Sequence, residues 1–147
     1  MKLYGLIEYP LTHSFSAQYF NEKFYKENIP DCSYELFPLQ DISELKYLVQ
    51  SHSHLKGLNI TIPYKEDILP LLSYIDETAK QIGAVNTVKI IDTTNFILHG
   101  FNTDVFGFEE SIKPYLKKNH KKALILGTGG ASKAVTFVLK KLGITYS

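Results

Sequence analysis

Lys65 and Asp104 are the two charged residues whose positions suggest proton-transfer chemistry. Lys65 falls in the first turn of a helix that Pro63 is predicted to begin, and Asp104 in the first turn of a later helix. The positive end of a helix dipole disfavours an ammonium, so the lysine suggests a chemical task. If the two side chains meet, the pair can pass a proton to or from a substrate hydroxyl. Taken alone, a solvated lysine and a simple helix cap also fit these positions.

Two serine hydroxyls lie close together in the segment His13-Ser14-Phe15-Ser16, at the predicted start of a helix. Both hydroxyls can donate to an anion, and the helix N-terminus adds its dipole, so a carboxylate is the natural small ligand. In the alternative interpretation, Ser16 is only the N-cap of the helix and Ser14 is a loop hydroxyl.

Polar side chains also mark the ends of two predicted strands. Asn59 and Thr61 point to one face of a strand predicted over residues 58–62, while its apolar residues point to the other face. Such a strand, running into a helix, often forms the wall of a crevice. Asn86 stands at the start of a later strand, where its amide either donates to a hydroxyl or closes a turn.

The glycine-rich segment Gly127-Thr128-Gly129-Gly130-Ala131-Ser132 follows a predicted strand and opens a predicted helix. Glycines allow a tight turn and a close backbone approach to a pyrophosphate, and the helix start offers unpaired N–H groups. Ser132 replaces the third glycine of the usual fingerprint and is still small. A plain strand–turn–helix connection would have the same local pattern.

The elements that must position these residues alternate between strand and helix, which predicts an α/β fold. Asp76 is expected to cap a short helix that ends at Gly83, and a turn-forming cluster at residues 92–95 predicts a β-hairpin. Strands are predicted at 3–7, 32–36, 58–62, 86–91, 96–101 and 123–126, with one beginning at 144. Helices are predicted from 16 to about 28, at 41–49, from 63 to about 70, at 76–83, from 104 to about 116, and from the glycine loop to 142.

The composition indicates an ordinary globular protein of about one domain, with 44% hydrophobic and 21% charged residues. A formal net charge of +1 indicates neither nucleic acid nor a membrane surface as a partner. A lone Cys32 cannot form an internal disulfide, and no Cys/His set has metal-binding spacing. The first residues are not typical of a signal peptide, so a cytoplasmic location is expected.

Residues 121–147 supply one strand, one helix and the start of another strand, whereas a nucleotide-binding half-fold needs at least three parallel strands. The sequence therefore predicts a truncated domain. The final helix has an apolar face formed by Ala134, Val135, Val138, Leu139 and Leu142. With no sheet to cover, this face would be exposed, so we expect the tail to pack against the rest of the chain or against a second copy.

Five motifs, in order, resemble those of the shikimate dehydrogenase family. They are Ser-x-Ser after the first strand, Gly-x-Asn-(Val/Ile)-Thr-x-Pro-x-Lys ending at Lys65, Gly-Ala-Val-Asn-Thr, Asn-Thr-Asp-x-x-Gly, and Gly-x-Gly-Gly-Ala. The similarity covers essentially the whole chain. Two departures lie in the first helix, where the family's Pro is Ala17 and its His-Asn pair is Phe20-Asn21.

The resemblance implies a division of the chain and a role for each motif. It implies a mixed-sheet α/β substrate-binding domain at 1–103, a connecting helix and linker at 104–120, and the truncated start of a Rossmann domain at 121–147. Lys65 would transfer the proton, paired with Asp104. The substrate ligands would be Ser14 and Ser16 for a carboxylate, and Thr61, Asn86 and Asp104 for ring hydroxyls. The NADP pyrophosphate would lie against Gly127, Thr128, Gly129, Gly130 and Ala131, with Glu77 on the cofactor side.

The activity implied by the resemblance is the NADPH-dependent reduction of 3-dehydroshikimate to shikimate, in aromatic amino-acid biosynthesis. One alternative is a quinate/shikimate dehydrogenase that uses NAD. A second is a non-catalytic shikimate-binding domain, and a third is a generic nucleotide-binding protein. The chain by itself is expected to be inactive, because half of the hydride-transfer machinery lies outside it. No metal is implied.

Overall fold

Strands and helices alternate through residues 1–10 and 14–147, which are the residues that this computed structural model describes. The strands are β1 (Lys2–Glu8), β2 (Cys32–Pro38), β3 (Leu55–Ile60), β4 (Tyr74–Ile75), β5 (Thr87–Asp92), β6 (Ile97–Phe101), β7 (Lys122–Ala123) and β8 (Thr145–Tyr146). The helices are α1 (Ser16–Lys26), α2 (Leu45–Ser51), α3 (Tyr64–Asp67), α4 (Glu77–Ile82), α5 (Asp104–Ile112) and α6 (Gly130–Lys141). Single 3-10 turns lie at Ile42–Glu44, Leu69–Leu71 and Lys113–Tyr115.

Strands β1 to β6 form one mixed sheet in the order β2-β1-β3-β5-β6-β4, which confirms the predicted α/β class. β1 runs parallel to β2 and β3, whereas β5 runs antiparallel to both β3 and β6. The carboxyl ends of β1, β3 and β6 and the start of β5 therefore share one edge of the sheet. In the ladder at this edge, Asn59 pairs with Thr87 and Thr87 pairs with Phe101. The polar residues that the sequence motifs contain lie mainly at this edge of the sheet.

The main core lies on one face of this sheet. Alternate strand residues such as Leu3, Ile7, Leu58 and Ile60 are buried there, as the two-residue period of a strand requires. Helix α2 and the 3-10 turns cover this face with apolar side chains: Leu45, Leu48, Val49, Leu69 and Leu71. Helix α1 packs on the opposite face of β1 and β2.

A second apolar cluster joins helices α4, α5 and α6. It contains Ile82, Ala84, Val105, Ala134 and Val138, all of them buried. The hypothesis that the tail packs against the rest of the chain is therefore confirmed. A covered face removes the main reason to expect self-association through this helix.

Glu109 of α5 ties the last helix to the connecting helix by charge as well as by packing. Its carboxylate accepts hydrogen bonds from Lys141 Nζ of α6 at 2.7 and 3.0 Å, and Lys113 Nζ lies 3.2 Å away. The hydrogen bonds from Lys141 and then Lys113 hold the pKa of Glu109 below its usual value of 4.5. The ion pairs are part of what holds α6 against α5.

Several predicted element boundaries are wrong, among them the following three. The strand predicted over 123–126 extends only over β7, and Leu126 is 89% exposed, because β8 is the only described strand that pairs with it. β3 ends at Ile60, and Ile62 is 74% exposed because the chain turns there into Pro63 and α3. Helix α1 has Phe15 rather than Ser16 at its N-cap.

The turn chemistry of the middle of the chain is as predicted. Asp76 caps α4 by accepting the backbone N–H groups of Thr78 and Ala79, and Gly83 ends the helix at a φ of 70°. The antiparallel hairpin of β5 and β6 turns at residues 92–95, where Asp92 accepts two backbone N–H groups. Among the described residues, no helix is long and apolar enough to cross a membrane.

Candidate functional site

Lys65 and Asp104 meet at the edge of the sheet where β3 and β6 end. Lys65 Nζ donates to Asp104 Oδ2 at 2.6 Å, and the two side chains are 15% and 34% exposed. The Lys65 carbonyl also accepts the backbone N–H of Val85 at 2.8 Å, which ties α3 to the segment before β5. The predicted meeting of the two side chains is therefore confirmed. Lys65 donates one of its three ammonium N–H groups to Asp104. Both side chains are partly exposed, so a ligand can reach them.

Asn86 holds the other oxygen of the Asp104 carboxylate. Its Nδ2 donates to Asp104 Oδ1 at 2.7 Å and to Thr103 Oγ1 at 2.9 Å. Its Oδ1 accepts from the Thr103 backbone N–H at 2.9 Å and from Thr87 Oγ1 at 3.0 Å. Nearly all hydrogen-bonding groups of the Asn86 amide therefore have partners within the protein. We infer that Asn86 orients the Asp104 carboxylate.

Asn102 fixes the start of α5 and thereby the position of Asp104. It is buried, donates to the Ala84 carbonyl at 2.9 Å and accepts the Asp104 backbone N–H at 3.0 Å. The sequence motif contained this residue, but no role was predicted for it. The sequence does place an asparagine two residues before a helix start, and in this position the side chain commonly accepts a backbone N–H. This pattern could have predicted the role of Asn102.

The two serines lie at the start of α1, after β1. The backbone N–H of Ser16 donates to Ser14 Oγ at 3.3 Å, so Ser14 rather than Ser16 bonds a backbone N–H at the helix start. Residue His13 of the same motif lies outside the described residues. The side chain of Ser16 lies against the hydroxyl of Tyr34, which in turn donates to Asn59 Oδ1 at 2.7 Å.

A series of polar side chains connects the serines to the Lys65–Asp104 pair. Asn59 stands beside Thr87 in the β3–β5 ladder, and the Thr87 hydroxyl donates to Asn86. Tyr34, Asn59 and Thr87 also line a groove of about 700 Å³ on the face of the sheet opposite the main core. Sequence reasoning missed Tyr34 and Thr87 and gave Asn59 no ligand role, although its face of β3 was predicted to be polar.

Thr61 lies between β3 and α3, and its backbone makes the turn into the lysine helix. Its N–H donates to the Ile7 carbonyl at 3.2 Å, and its carbonyl accepts the Tyr64 N–H at 2.9 Å. The residue is half-buried. These bonds link the end of β1, which leads to the serines, with the helix that carries Lys65.

The glycine loop packs directly against Lys65. A Cβ atom at Gly130 would lie 3.2 Å from Lys65 Cβ and 3.3 Å from Ala84 Cβ, so a larger side chain would crowd both. Gly127 has a φ of 130°, a conformation that glycine adopts readily. Thr128 and Gly129 are exposed before the start of α6. An open backbone at the N-terminus of a twelve-residue helix suits a phosphate group.

Two further residues frame the loop. Lys133 Nζ of α6 lies 2.5 Å from Glu66 Oε2 of α3, which fastens the helix after the loop to the helix that carries Lys65. Glu77 begins α4 and is exposed, with its carboxylate 3.9 Å from Lys80 Nζ. Within the described contacts, Glu77 does not touch the Lys65–Asp104 pair, unlike Asn86 and Gly130.

The fold and the site define an α/β protein with a polar cluster beside a glycine loop of the nucleotide-binding type. Residues 6–88 match the family described as the shikimate dehydrogenase substrate binding domain, and the chain belongs to this family.

Relatives along the whole chain carry the same family name. The NADP⁺ shikimate dehydrogenase of Aquifex aeolicus is 42% identical over 147 residues, which cover 97% of this chain and 52% of that protein. The one of Methanosphaera stadtmanae is 43% identical over 92% of this chain and 47% of its own length. The chain therefore spans about half the length of the curated relatives it matches.

Solved structures of the family have the same fold. Shikimate dehydrogenase 1 of Peptoclostridium difficile superposes with a TM-score of 0.87 at 39% identity, over 98% of this chain and 53% of that one. The Thermus thermophilus enzyme in complex with shikimate gives a TM-score of 0.84 at 31% identity, over 99% and 55% of the two chains.

Proposed function

We propose that this chain forms the substrate-binding half of an NADP-dependent shikimate dehydrogenase, which reduces 3-dehydroshikimate to shikimate in aromatic amino-acid biosynthesis. The observation that carries the proposal is the 2.6 Å pair of Lys65 and Asp104, held by Asn86 and packed against Gly130. A proton-transferring group and a glycine loop are thus neighbours. A cytoplasmic location is part of this proposal.

The proposed substrate contacts follow the polar series of the site. The hydroxyls of Ser14 and Ser16, at the start of α1, bind the carboxylate of the acid, and the helix dipole supports them. Thr61, Asn86 and Asp104 bind ring hydroxyls near the lysine. A rigid polar wall of this kind is expected to reject ligands that lack a matching hydroxyl, because its polar groups would then be left unpaired.

Lys65 is the proposed proton-transferring residue. NADPH, when bound, supplies the hydride that the ketone carbon receives. Lys65 gives one proton to the ketone oxygen, which becomes the hydroxyl of shikimate, and in the reverse direction it takes that proton back. Asp104 keeps the ammonium aimed at this oxygen through the 2.6 Å hydrogen bond. Proton transfer by a positioned side chain contributes about 10²–10⁴-fold to the rate of a reaction.

The glycine loop supplies the proposed cofactor contact of this chain. The backbone of Gly127, Thr128, Gly129, Gly130 and Ala131 would hold the pyrophosphate, which fits the positive φ of Gly127 and the open space beside Gly127 and Gly129. We propose the division into a substrate domain at 1–103, a connecting segment at 104–120 and the start of a nucleotide-binding domain at 121–147. Glu77 is proposed to face the cofactor side.

A second candidate keeps the reaction class but changes the cofactor and the acid. The shikimate dehydrogenase of Listeria monocytogenes, 36% identical over 92% of this chain, was solved in complex with shikimate and NAD. This neighbour supports NAD as an alternative cofactor, and the alternative that the sequence left open is a quinate/shikimate dehydrogenase that uses it. The acid-binding residues of this chain fit both candidates, since the two acids share a carboxylate and ring hydroxyls.

Initial rates test the proposal and separate it from the second candidate. The chain is joined to the second half of the Aquifex aeolicus relative, so that this chain determines which acid is oxidised and the joined half determines the cofactor preference. The rates of oxidation of shikimate and of quinate are then compared, with NADP⁺ and with NAD⁺. We expect shikimate to be oxidised at least about tenfold faster than quinate, because quinate carries an extra hydroxyl on the carbon that bears the carboxylate and a saturated ring, and the site must accommodate both changes. Faster oxidation of quinate would favour the second candidate. No oxidation of either acid, in a folded protein that binds NADP⁺, would reject both.

A further inference from the structure

We infer that Tyr34 is a positioning residue of the acid-binding site, and that it acts by setting the orientation of the Asn59 side-chain amide. The inference rests on the proposed function, because it concerns how the same site receives its acid. It assigns a task to a residue that makes no contact with Lys65 or Asp104. Tyr34 lies on β2, two strands away from Asn59 on β3, with β1 between them.

Tyr34 is held in place by two residues of helix α1. Its ring stacks on Phe20 of α1 with the ring centres 4.7 Å apart and the planes at 16°. The side chain of Asn21 donates to the Tyr34 carbonyl and accepts its N–H, both at 2.9 Å. Only 4% of the residue is exposed. A side chain so fixed can hold a neighbouring group in one orientation.

The hydroxyl of Tyr34 decides which end of the Asn59 amide faces the groove. It donates to Asn59 Oδ1 at 2.7 Å, so the carbonyl end of the amide points to the tyrosine. The two Nδ2 protons of Asn59 are then left without a protein acceptor among the described hydrogen bonds. The amide therefore presents donors, and not an acceptor, between the serines and Thr87. Donors are what the oxygens of an anionic acid need.

Burial keeps the phenol in the protonated form that this role requires. Burial raises the pKa of Tyr34 well above its usual value, and the Ser16 side chain beside it only partly opposes the rise. At neutral pH the phenol keeps its proton, and it donates that proton to Asn59 Oδ1. Without this hydroxyl, the Asn59 amide could rotate and present its carbonyl oxygen to the acid, which would repel the carboxylate oxygens.

The test is a set of four variants of the 147-residue chain. Binding of shikimate is measured by calorimetry for Tyr34→Phe, Asn59→Ala and the double variant. Tyr64→Phe is the matched control, because its buried hydroxyl also makes one hydrogen bond, to the Leu39 carbonyl at 2.5 Å. The side-chain amide resonances of Asn59, assigned by their loss in Asn59→Ala, are recorded by NMR for the parent, Tyr34→Phe and Tyr64→Phe without ligand.

Tyr34→Phe is expected to weaken shikimate binding about fivefold to tenfold, the worth of one net hydrogen bond. In the Asn59→Ala background the same change is expected to alter binding less than about twofold, since the interaction is shared. Tyr64→Phe lowers the melting temperature but leaves the dissociation constant unchanged. Tyr34→Phe alone moves the Asn59 amide resonances towards those of an exposed asparagine.

Two results would overturn the inference: unchanged Asn59 amide resonances in Tyr34→Phe, or an equal loss of binding in both backgrounds. A parent chain that does not bind shikimate while its Asn59 resonances depend on Tyr34 would instead count against the proposed function. In that case the positioning of Asn59 by Tyr34 would still hold for whatever ligand the groove receives.

Discussion

Lys65→Ala, in a protein that joins this chain to a complete nucleotide-binding domain, is expected to lower kcat by about 10²–10⁴-fold while shikimate still binds. The ammonium of Lys65 lies at the centre of the site, where its Nζ is 2.6 Å from Asp104 Oδ2. Its loss leaves the ketone oxygen without a positioned proton donor. The polar residues that bind the acid remain in place, so KM is expected to change much less than kcat.

Lys65→Arg separates charge from proton transfer in the same assay. A guanidinium keeps the positive charge beside Asp104 but does not give up its proton at neutral pH, so kcat is expected to stay at least about tenfold below that of the parent. Lys46→Ala, at an exposed lysine of α2, is the control for a lost surface charge and should leave kcat unchanged. A kcat near that of the parent in Lys65→Ala would remove Lys65 from the proposed role.

Asp104→Asn has the second largest expected effect, and it acts on both binding and turnover. Removing one partner of a buried ion pair costs about 3–5 kcal/mol, and the 34% exposure of Asp104 reduces that figure through solvent screening. We therefore expect kcat/KM to fall by about 10²-fold. The neutral amide no longer anchors Lys65, and it also loses the charge-assisted bond from Asn86.

A double-variant cycle shows whether Asp104 acts through Lys65. If it does, Asp104→Asn is expected to change kcat much less in the Lys65→Ala background than in the parent, because the two residues act as a unit. Glu110→Gln, at an exposed residue of α5, is the matched control for a lost carboxylate. A kcat/KM for Asp104→Asn within about threefold of the parent, in a folded protein, would contradict the account.

Local signals in the sequence predicted the local features of the fold. The Asp76 cap, the end of α4 at Gly83 and the hairpin after Thr87 each depend on a few neighbouring residues, and all three are present. The pattern of alternating strands and helices predicted the class of fold for the same reason. The motifs also singled out Lys65, Asn86 and Asp104, which the structure brings together, while their roles stay predictions.

Contacts between distant residues could not be derived in this way. Lys65 and Asp104 are 39 residues apart, and only the order of the strands brings them together. Tyr34 and Asn59 are separated by 25 residues, and the tyrosine had no motif that distinguished it from a core residue. The strand predicted over 123–126 is shorter than expected, because composition cannot show whether a neighbouring strand is there to pair with it.

The account depends most on one claim, that the start of α1 and the Lys65–Asp104 pair serve one ligand. Titration of shikimate into the ¹⁵N-labelled chain tests it directly, with backbone amide shifts followed residue by residue. We predict that Ser16, Asn86 and Asp104 shift together, with one dissociation constant, while α2 on the opposite face stays unchanged. Shifts confined to one of these regions, or none at millimolar shikimate, would contradict the account.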